Sequence, residues 1–232
     1  MRSQVVMILM VASVRCAAQT GYELRPGSPD GIGKWYMGRE IAHTMCAAHA
    51  GWLDRPERER EEQPARMVGR MAIDPTDVIA DIGCGTGHHT LLMAAQATQG
   101  KVYAVDIQPA MLDSVFTRSL ASGLDNVEVM LGTEQDPLLP AGRLDKVLMV
   151  DVYHEFAYPQ EMMSAIVAAM RPGALLFLVE FRGEDERVPI KAIHRMGREQ
   201  AMKEMKAAGL VLDRAWNGLP WQHFLVFRKA DR

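Results

Sequence analysis

An apolar run, Val78-Ile79-Ala80, ends in Asp81, and Gly83, Gly85 and Gly87 follow at alternate positions before His88-His89-Thr90 opens a helix-like stretch. Glycines at such a turn let the backbone bend sharply or touch a ligand, which a Cβ would block. A helix end leaves N–H groups unpaired, so the turn suits a nucleotide-like ligand. A second apolar run, Lys101 to Val105, ends in Asp106. This acid falls about 20 residues past the glycines, where a carboxylate can accept hydrogen bonds from ribose hydroxyls. Tyr153-His154-Glu155 come just after another apolar run that ends in Asp151. Histidine titrates near neutral pH and can take a proton from an attacking oxygen or nitrogen, so His154, with Tyr153 and Glu155 beside it, is the candidate catalytic group. Glu180 and Arg182 close a long apolar run and need partners or solvent, which makes them candidates for lining a substrate site.

These residues need a scaffold. The pattern predicts strands over 77–82, 101–106, 126–131, 144–151 and 174–181, with helices over 88–98, 109–122 and 159–170. Strands alternating with helices build parallel βαβ units. A helix from Ala192 to Ala208 follows, then strands Leu210–Trp216 and Gln222–Arg228 joined by Asn217-Gly218-Leu219-Pro220, a short connection that favours antiparallel pairing. Ligands of open α/β sheets sit at the carboxyl ends of strands, which adds Gly132-Thr133-Glu134 to the candidate residues. Upstream, residues 19–33 read as a loose tether, Trp35 to Gly51 as a helix with Ile41, Met45 and Ala48 on one face, and Glu57–Glu62 as a solvated helical face. Pro64 opens a short helix through Met71. Trp35, Tyr36, Arg39 and Trp52 are candidates for a lid over the acceptor pocket, with Tyr36 placed as a substrate contact.

The Asp81–Gly87 pattern, D-x-G-x-G-x-G, resembles motif I of the class I S-adenosylmethionine (SAM)-dependent methyltransferases, and Asp106-Ile107-Gln108-Pro109-Ala110-Met111-Leu112 resembles their second motif. Asp151-Val152-Tyr153-His154-Glu155-Phe156 resembles motif IV, where a strand edge faces both SAM and acceptor. The core looks closest to small-molecule methyltransferases of the ubiquinone/menaquinone type. The resemblance covers about residues 66–230 and implies an α/β Rossmann-like fold. Its seven-stranded, mostly parallel sheet would run in order 3-2-1-4-5-7-6 with an antiparallel C-terminal hairpin. It implies SAM as cofactor, held by Asp81, Gly83, Gly85, Gly87, Asp106 and Asp151, with Ile107 against the adenine and Thr133 and Glu134 near its amino group. The implied activity is methyl transfer to an unidentified, small-molecule acceptor. The alternative is a SAM-binding sensor or partner protein without that activity. A nicotinamide oxidoreductase is disfavoured, because His88 stands where the dinucleotide fingerprint needs its third glycine.

A net charge of −3 and a pI near 6.2 leave no basic footprint for nucleic acid. No apolar stretch reaches the roughly 18 residues of a membrane span. Arg2, the apolar run Val5–Ala12 and Ala17-Ala18 form the three parts of an export signal, with cleavage after Ala18, so a periplasmic destination is expected and the cytoplasm is the alternative. The expected organisation is thus a signal over 1–18, a tether and helical lid over 19–65, and the methyltransferase domain over 66–232. Three cysteines make no disulfide framework. His43, Cys46 and His49 spread around a wide arc on a helix, and no metal site is expected. The oligomeric state stays open.

Overall fold

The computed structural model describes residues 21–230. The expected export signal over residues 1–18 lies outside the described residues. A seven-stranded sheet carries the molecule. Its strands are β4 (Val78–Ile82), β5 (Lys101–Asp106), β6 (Val127–Leu131), β7 (Leu144–Val150), β8 (Met170–Phe181), β9 (Leu210–Trp216) and β10 (Gln222–Lys229). They lie in the order β6-β5-β4-β7-β8-β10-β9, which is the expected 3-2-1-4-5-7-6. The pairs from β6 to β8 are parallel, and β10 runs antiparallel to both β8 and β9. This is the class I methyltransferase fold.

Strand side chains alternate between faces, and the core divides accordingly. Ala80, Val147, Met149, Leu176 and Leu178 pack with Met162, Met163 and Ile166 of α5 (Pro159–Ala169) and Met205 of α6 (Arg198–Ala207). Their neighbours Ile79, Leu148, Phe177 and Val179 join Met67 and Val68 of α2 (Pro64–Gly69) and Met93 of α3 (His88–Ala94). Helix α4 (Pro109–Ala121) and α5 both begin with proline at the first turn, where its missing N–H costs nothing.

The N-terminal expectations need correction. Of the expected tether over 19–33, residues 19 and 20 lie outside the described residues and 21–33 are not a loose tether; Trp35–Gly51 is not one helix. β1 (Tyr22–Leu24), β2 (Gly31–Tyr36) and β3 (Arg39–Ala42) form a separate antiparallel sheet. Met37 and Gly38, both at positive φ, make the two-residue turn between β2 and β3. The apolar spacing of Ile41, Met45 and Ala48 suits a helix, but the turn and the pairing of β2 with its neighbours override it. Only Ala47–Trp52 coils, as a 3-10 turn. The charged block also differs from the expected solvated face. Its short helix α1 (Arg58–Glu61) buries Arg58, which pairs with Glu62 at 2.7 Å, while Arg55 reaches Glu61 at 3.0 Å and Glu62 at 2.5 Å.

The expected Ala192–Ala208 helix breaks in two. Ala192–His194 is a 3-10 turn, and α6 starts only at Arg198. Between them the chain is extended, because the Met196 N–H bonds the Phe181 carbonyl at 2.9 Å and the Gly183 N–H bonds the Met196 carbonyl at 3.1 Å. That tie to the end of β8 brings His194 to the rim of the sheet.

Candidate active site

A cavity of ≈330 Å³ opens along the carboxyl ends of β4 to β8. Its size lies at the lower end of the range for small-molecule sites. Strand order sets its two flanks. β6, β5 and β4 bring Gly132-Thr133-Glu134, Asp106-Ile107-Gln108 and Gly83-Gly85 to one flank, and β7 and β8 bring Asp151 to Ala157 and Phe181 to the other.

The glycine turn is shaped by neighbouring side chains. Gly83 sits at φ +68, and a Cβ there would fall 2.3 Å from Val152 Cγ2. Gly85 sits at φ +53, and its Cβ would fall 2.6 Å from Leu53 Cδ1. Asp106 Oδ2 accepts the Gly85 N–H at 3.1 Å, and its Oδ1 accepts the Gln108 N–H at 2.9 Å. Burial raises the Asp106 carboxyl above its ordinary range, while these backbone donors pull it back down. Ile107 stays 38% exposed at the rim, an apolar surface available to a flat ring. Thr133 and Glu134 also border the cavity, although the Thr133 hydroxyl oxygen accepts the Asp136 N–H at 2.9 Å within its own turn. Asp151, at φ +49, accepts the Phe181 N–H at 3.1 Å and Gln222 Nε2–H at 2.7 Å. Burial pushes its carboxyl well up, and Glu62 and Glu180 add to the push.

Two motif residues stand behind the cavity wall and do not line it. Asp81 is 2% exposed and accepts the Thr90 hydroxyl at 2.6 Å, which fixes the start of α3 to β4. Burial lifts its carboxyl to about 6. A Cβ on Gly87 would meet Val115 Cγ2 at 3.0 Å, so this glycine lets α4 pack close to the turn. Neither His88 nor His89 borders the cavity.

The β7 flank carries the chemistry. His154 is 3% exposed, and its Nδ1 lies 2.6 Å from Glu180 Oε2. Its Nε2 lies 3.1 Å from His194 Nδ1 and 3.7 Å from Glu155 Oε1, and His194 Nδ1 is 3.5 Å from the same oxygen. Burial alone would lower the His154 pKa, but the Glu180 and Glu155 carboxylates outweigh it and hold it above the ordinary value. Glu155 Oε2 accepts the Met45 N–H at 3.1 Å. Among the described residues, His154, Glu155 and His194 bring their ligand atoms within 4.8 Å of one another.

Besides Asp81 and Gly87, four further expectations are corrected by this geometry. Tyr153 is fully buried and its hydroxyl donates to Glu204 Oε2 at 2.8 Å, so it does not face the cavity. Tyr36 packs on Tyr22 with ring centroids 5.4 Å apart, behind the site and outside its lining. Arg182 donates to the Pro220 carbonyl at 2.7 Å and the Leu219 carbonyl at 2.6 Å, bracing the β9–β10 connection. Glu180 is 1% exposed and orients His154 and the Tyr153 N–H, rather than lining the cavity.

The N-terminal segment supplies what the sequence reading missed. Thr44, Met45, Leu53, Arg58 and Glu62 border the cavity, together with the marked Trp52. Gln108 ties the segment down, accepting the Ala47 N–H at 2.8 Å and donating to the Met45 carbonyl at 2.9 Å. Arg39 bonds Glu204 at 2.7 and 3.1 Å and the His154 carbonyl at 3.1 Å, so β3 clamps the loop that carries His154. Ile190, Lys191 and His194 were also unmarked. Adjacent Tyr-His-Glu residues gave a local signal, whereas no pattern near His194 distinguishes it from a surface histidine.

Comparison with known proteins agrees with this architecture. Residues 79–173 match the sequence profile of a family described as a methyltransferase domain. The demethylmenaquinone methyltransferase of Symbiobacterium thermophilum is 34% identical over 122 residues, covering 52% of this chain and 49% of that protein. The tRNA U34 carboxymethyltransferase of Desulfotalea psychrophila is 36% identical over 104 residues, covering 44% of this chain and 31% of that protein. This chain therefore spans about half or less of these curated relatives. A SAM-dependent methyltransferase from Aquifex aeolicus has the same fold, with a TM-score of 0.76 at 20% identity over 81% of this chain and all of that one.

Proposed function

We propose that this chain, which carries the class I methyltransferase fold, binds SAM in the cavity and transfers its methyl group to a small-molecule acceptor. The glycine cradle beside Asp106 carries the reading. Side chains at Gly83 or Gly85 would collide with Val152 or Leu53, so packing keeps the turn bare, and both glycines border the cavity. Asp106 presents a carboxylate to ribose hydroxyls, and Ile107 and Met111 offer apolar surface to a base. SAM supplies a methyl on a sulfonium, already activated for in-line displacement.

The protein's own part is to hold, orient and exclude water. Gln108 keeps the N-terminal segment over the cavity through Met45 and Ala47, Trp52 borders it, and the His154–Glu155–His194 group faces it from the β7 flank. Holding nucleophile and methyl in line supplies much of the rate in such a reaction. The polar group is placed to receive the acceptor's reacting heteroatom.

The acidic charge balance supports a small acceptor over a nucleic acid. The likeness to the demethylmenaquinone enzyme is compatible with that class without naming the acceptor. The test is release of S-adenosylhomocysteine from SAM with a panel of small alcohols, phenols, thiols and amines, and with tRNA as a control. Turnover with a small acceptor is the expected result. SAM binding without turnover on any acceptor would favour a sensor, and turnover with tRNA alone would overturn the acceptor class.

A further inference from the structure

We infer that His154, Glu155 and His194 form a three-ligand site for a divalent cation of the zinc type, whose open position receives the hydroxyl or thiol of the methyl acceptor. This rests on the methyl-transfer reading and assigns the acceptor's chemical class.

The spacing is that of a metal site. Zinc bonds of about 2.0–2.1 Å in tetrahedral geometry separate neighbouring ligand atoms by about 3.3 Å. The three separations here are 3.1, 3.5 and 3.7 Å. Two imidazoles and one carboxylate are a ligand set for zinc and its neighbours, with a fourth position left for substrate. All three residues border the cavity, so that position opens toward it.

The surroundings support the same assignment. Glu180, 1% exposed, holds His154 Nδ1 at 2.6 Å and so takes its N–H, leaving the Nε2 lone pair aimed at the other two ligands. Carboxylate–histidine–metal arrangements fix ligand tautomers in this way. The Met45 N–H holds the second Glu155 oxygen, leaving Oε1 facing the histidines. Three remote segments thus converge on one point: the loop after β7, the end of β8, and the 3-10 turn that Met196 ties to β8.

A bound cation polarises a coordinated oxygen or sulfur and lowers its pKa. The acceptor's O–H or S–H gives its proton to solvent. The freed electron pair forms the bond to the methyl carbon as the carbon–sulfonium bond breaks. Products are the methylated acceptor, S-adenosylhomocysteine and one proton, so atoms and charge balance.

The test uses the full chain, stripped with chelator, dialysed and titrated with Co²⁺ as a spectroscopic substitute, with Zn²⁺ content read by mass spectrometry. The expected result is one equivalent of either metal and the intense visible absorption of tetrahedral cobalt. His194→Ala, at a partly exposed position, should lose that absorption while remaining folded by circular dichroism. Glu180→Gln should weaken Co²⁺ binding about 10–100-fold, the usual effect of removing a histidine's supporting carboxylate. No stoichiometric uptake by the wild type overturns the site, as does uptake that His194→Ala leaves intact. SAM binding without metal uptake would overturn this inference and leave the methyl-transfer reading standing. Metal uptake without SAM binding would support the ligand set and overturn that reading.

Discussion

Asp106 shows how one side chain serves both fold and ligand. Its two oxygens hold the Gly85 and Gln108 N–H groups while it borders the cavity. Hydrogen bonds to charged groups contribute about 1.5–3 kcal/mol. Asp106→Ala should therefore weaken SAM binding about 10–100-fold by calorimetry, and unchanged affinity would contradict the ribose assignment. Gly83 is the steric counterpart. Gly83→Ala, at φ +68 and against Val152, should lower the melting temperature and SAM affinity together. A variant as stable as the wild type would show the turn to be less crowded than it stands here. Asp81 gives a pH signature. Burial raises its carboxyl to about 6, so the folded chain holds that proton more tightly than the unfolded one. Its stability contribution is full below the ordinary carboxylate value of about 3.9 and is lost as pH rises through the folded value. Asp81→Asn should remove that slope, so unfolding free energies of wild type and variant should diverge between pH values of about 4 and 6. Parallel curves across the window would rule the effect out.

At the scale of elements, the β1–β2–β3 sheet is coupled to the site through Arg39. Its partner Glu204 has no exposed side-chain surface and also receives the Tyr153 hydroxyl and Gln200 Nε2–H. Removing one partner of a buried ion pair costs about 3–5 kcal/mol. Arg39→Ala should lower stability by that order in denaturant unfolding, and a change within experimental error would show the clamp to be idle. Sequence made the β4–β8 strands and their helices legible because their signals are local: apolar runs, acid tips, glycines, and prolines at helix starts. β2 and β3 were missed because the spacing of Ile41, Met45 and Ala48 also suits a helix, and only Met37–Gly38 and cross-strand pairing decide the matter. The break before α6 was invisible for a similar reason. It is imposed by hydrogen bonds from Met196 and Gly183 to distant or mutual partners, which a lone glycine at the cap of α6, Gly197, does not announce. His154 and Glu155 could be read from the strand end that precedes them. Glu180 was found but given the wrong task, and His194 left no mark in the sequence.

Across the whole molecule, the crevice is a seam between the sheet rim and the chain that precedes the sheet. The parallel strands supply Gly83, Asp106, Asp151 and His154, and the segment from Thr44 to Glu62 supplies much of the opposite wall. A ligand that binds the folded chain at 100 times its dissociation constant stabilises it by about 2.7 kcal/mol. SAM should therefore raise the melting temperature and slow amide hydrogen exchange over residues 44–58 as well as over the glycine turn. Protection confined to the turn would mean that the N-terminal segment does not close on the cofactor. The central claim, that this seam is a SAM site, is met most directly by titrating the purified full chain with SAM in a calorimeter, with NAD as the parallel ligand. The expected result is saturable one-to-one binding of SAM that Asp106→Ala weakens and that NAD does not reproduce. Absence of SAM binding, or equal binding of NAD at the same site, would contradict it.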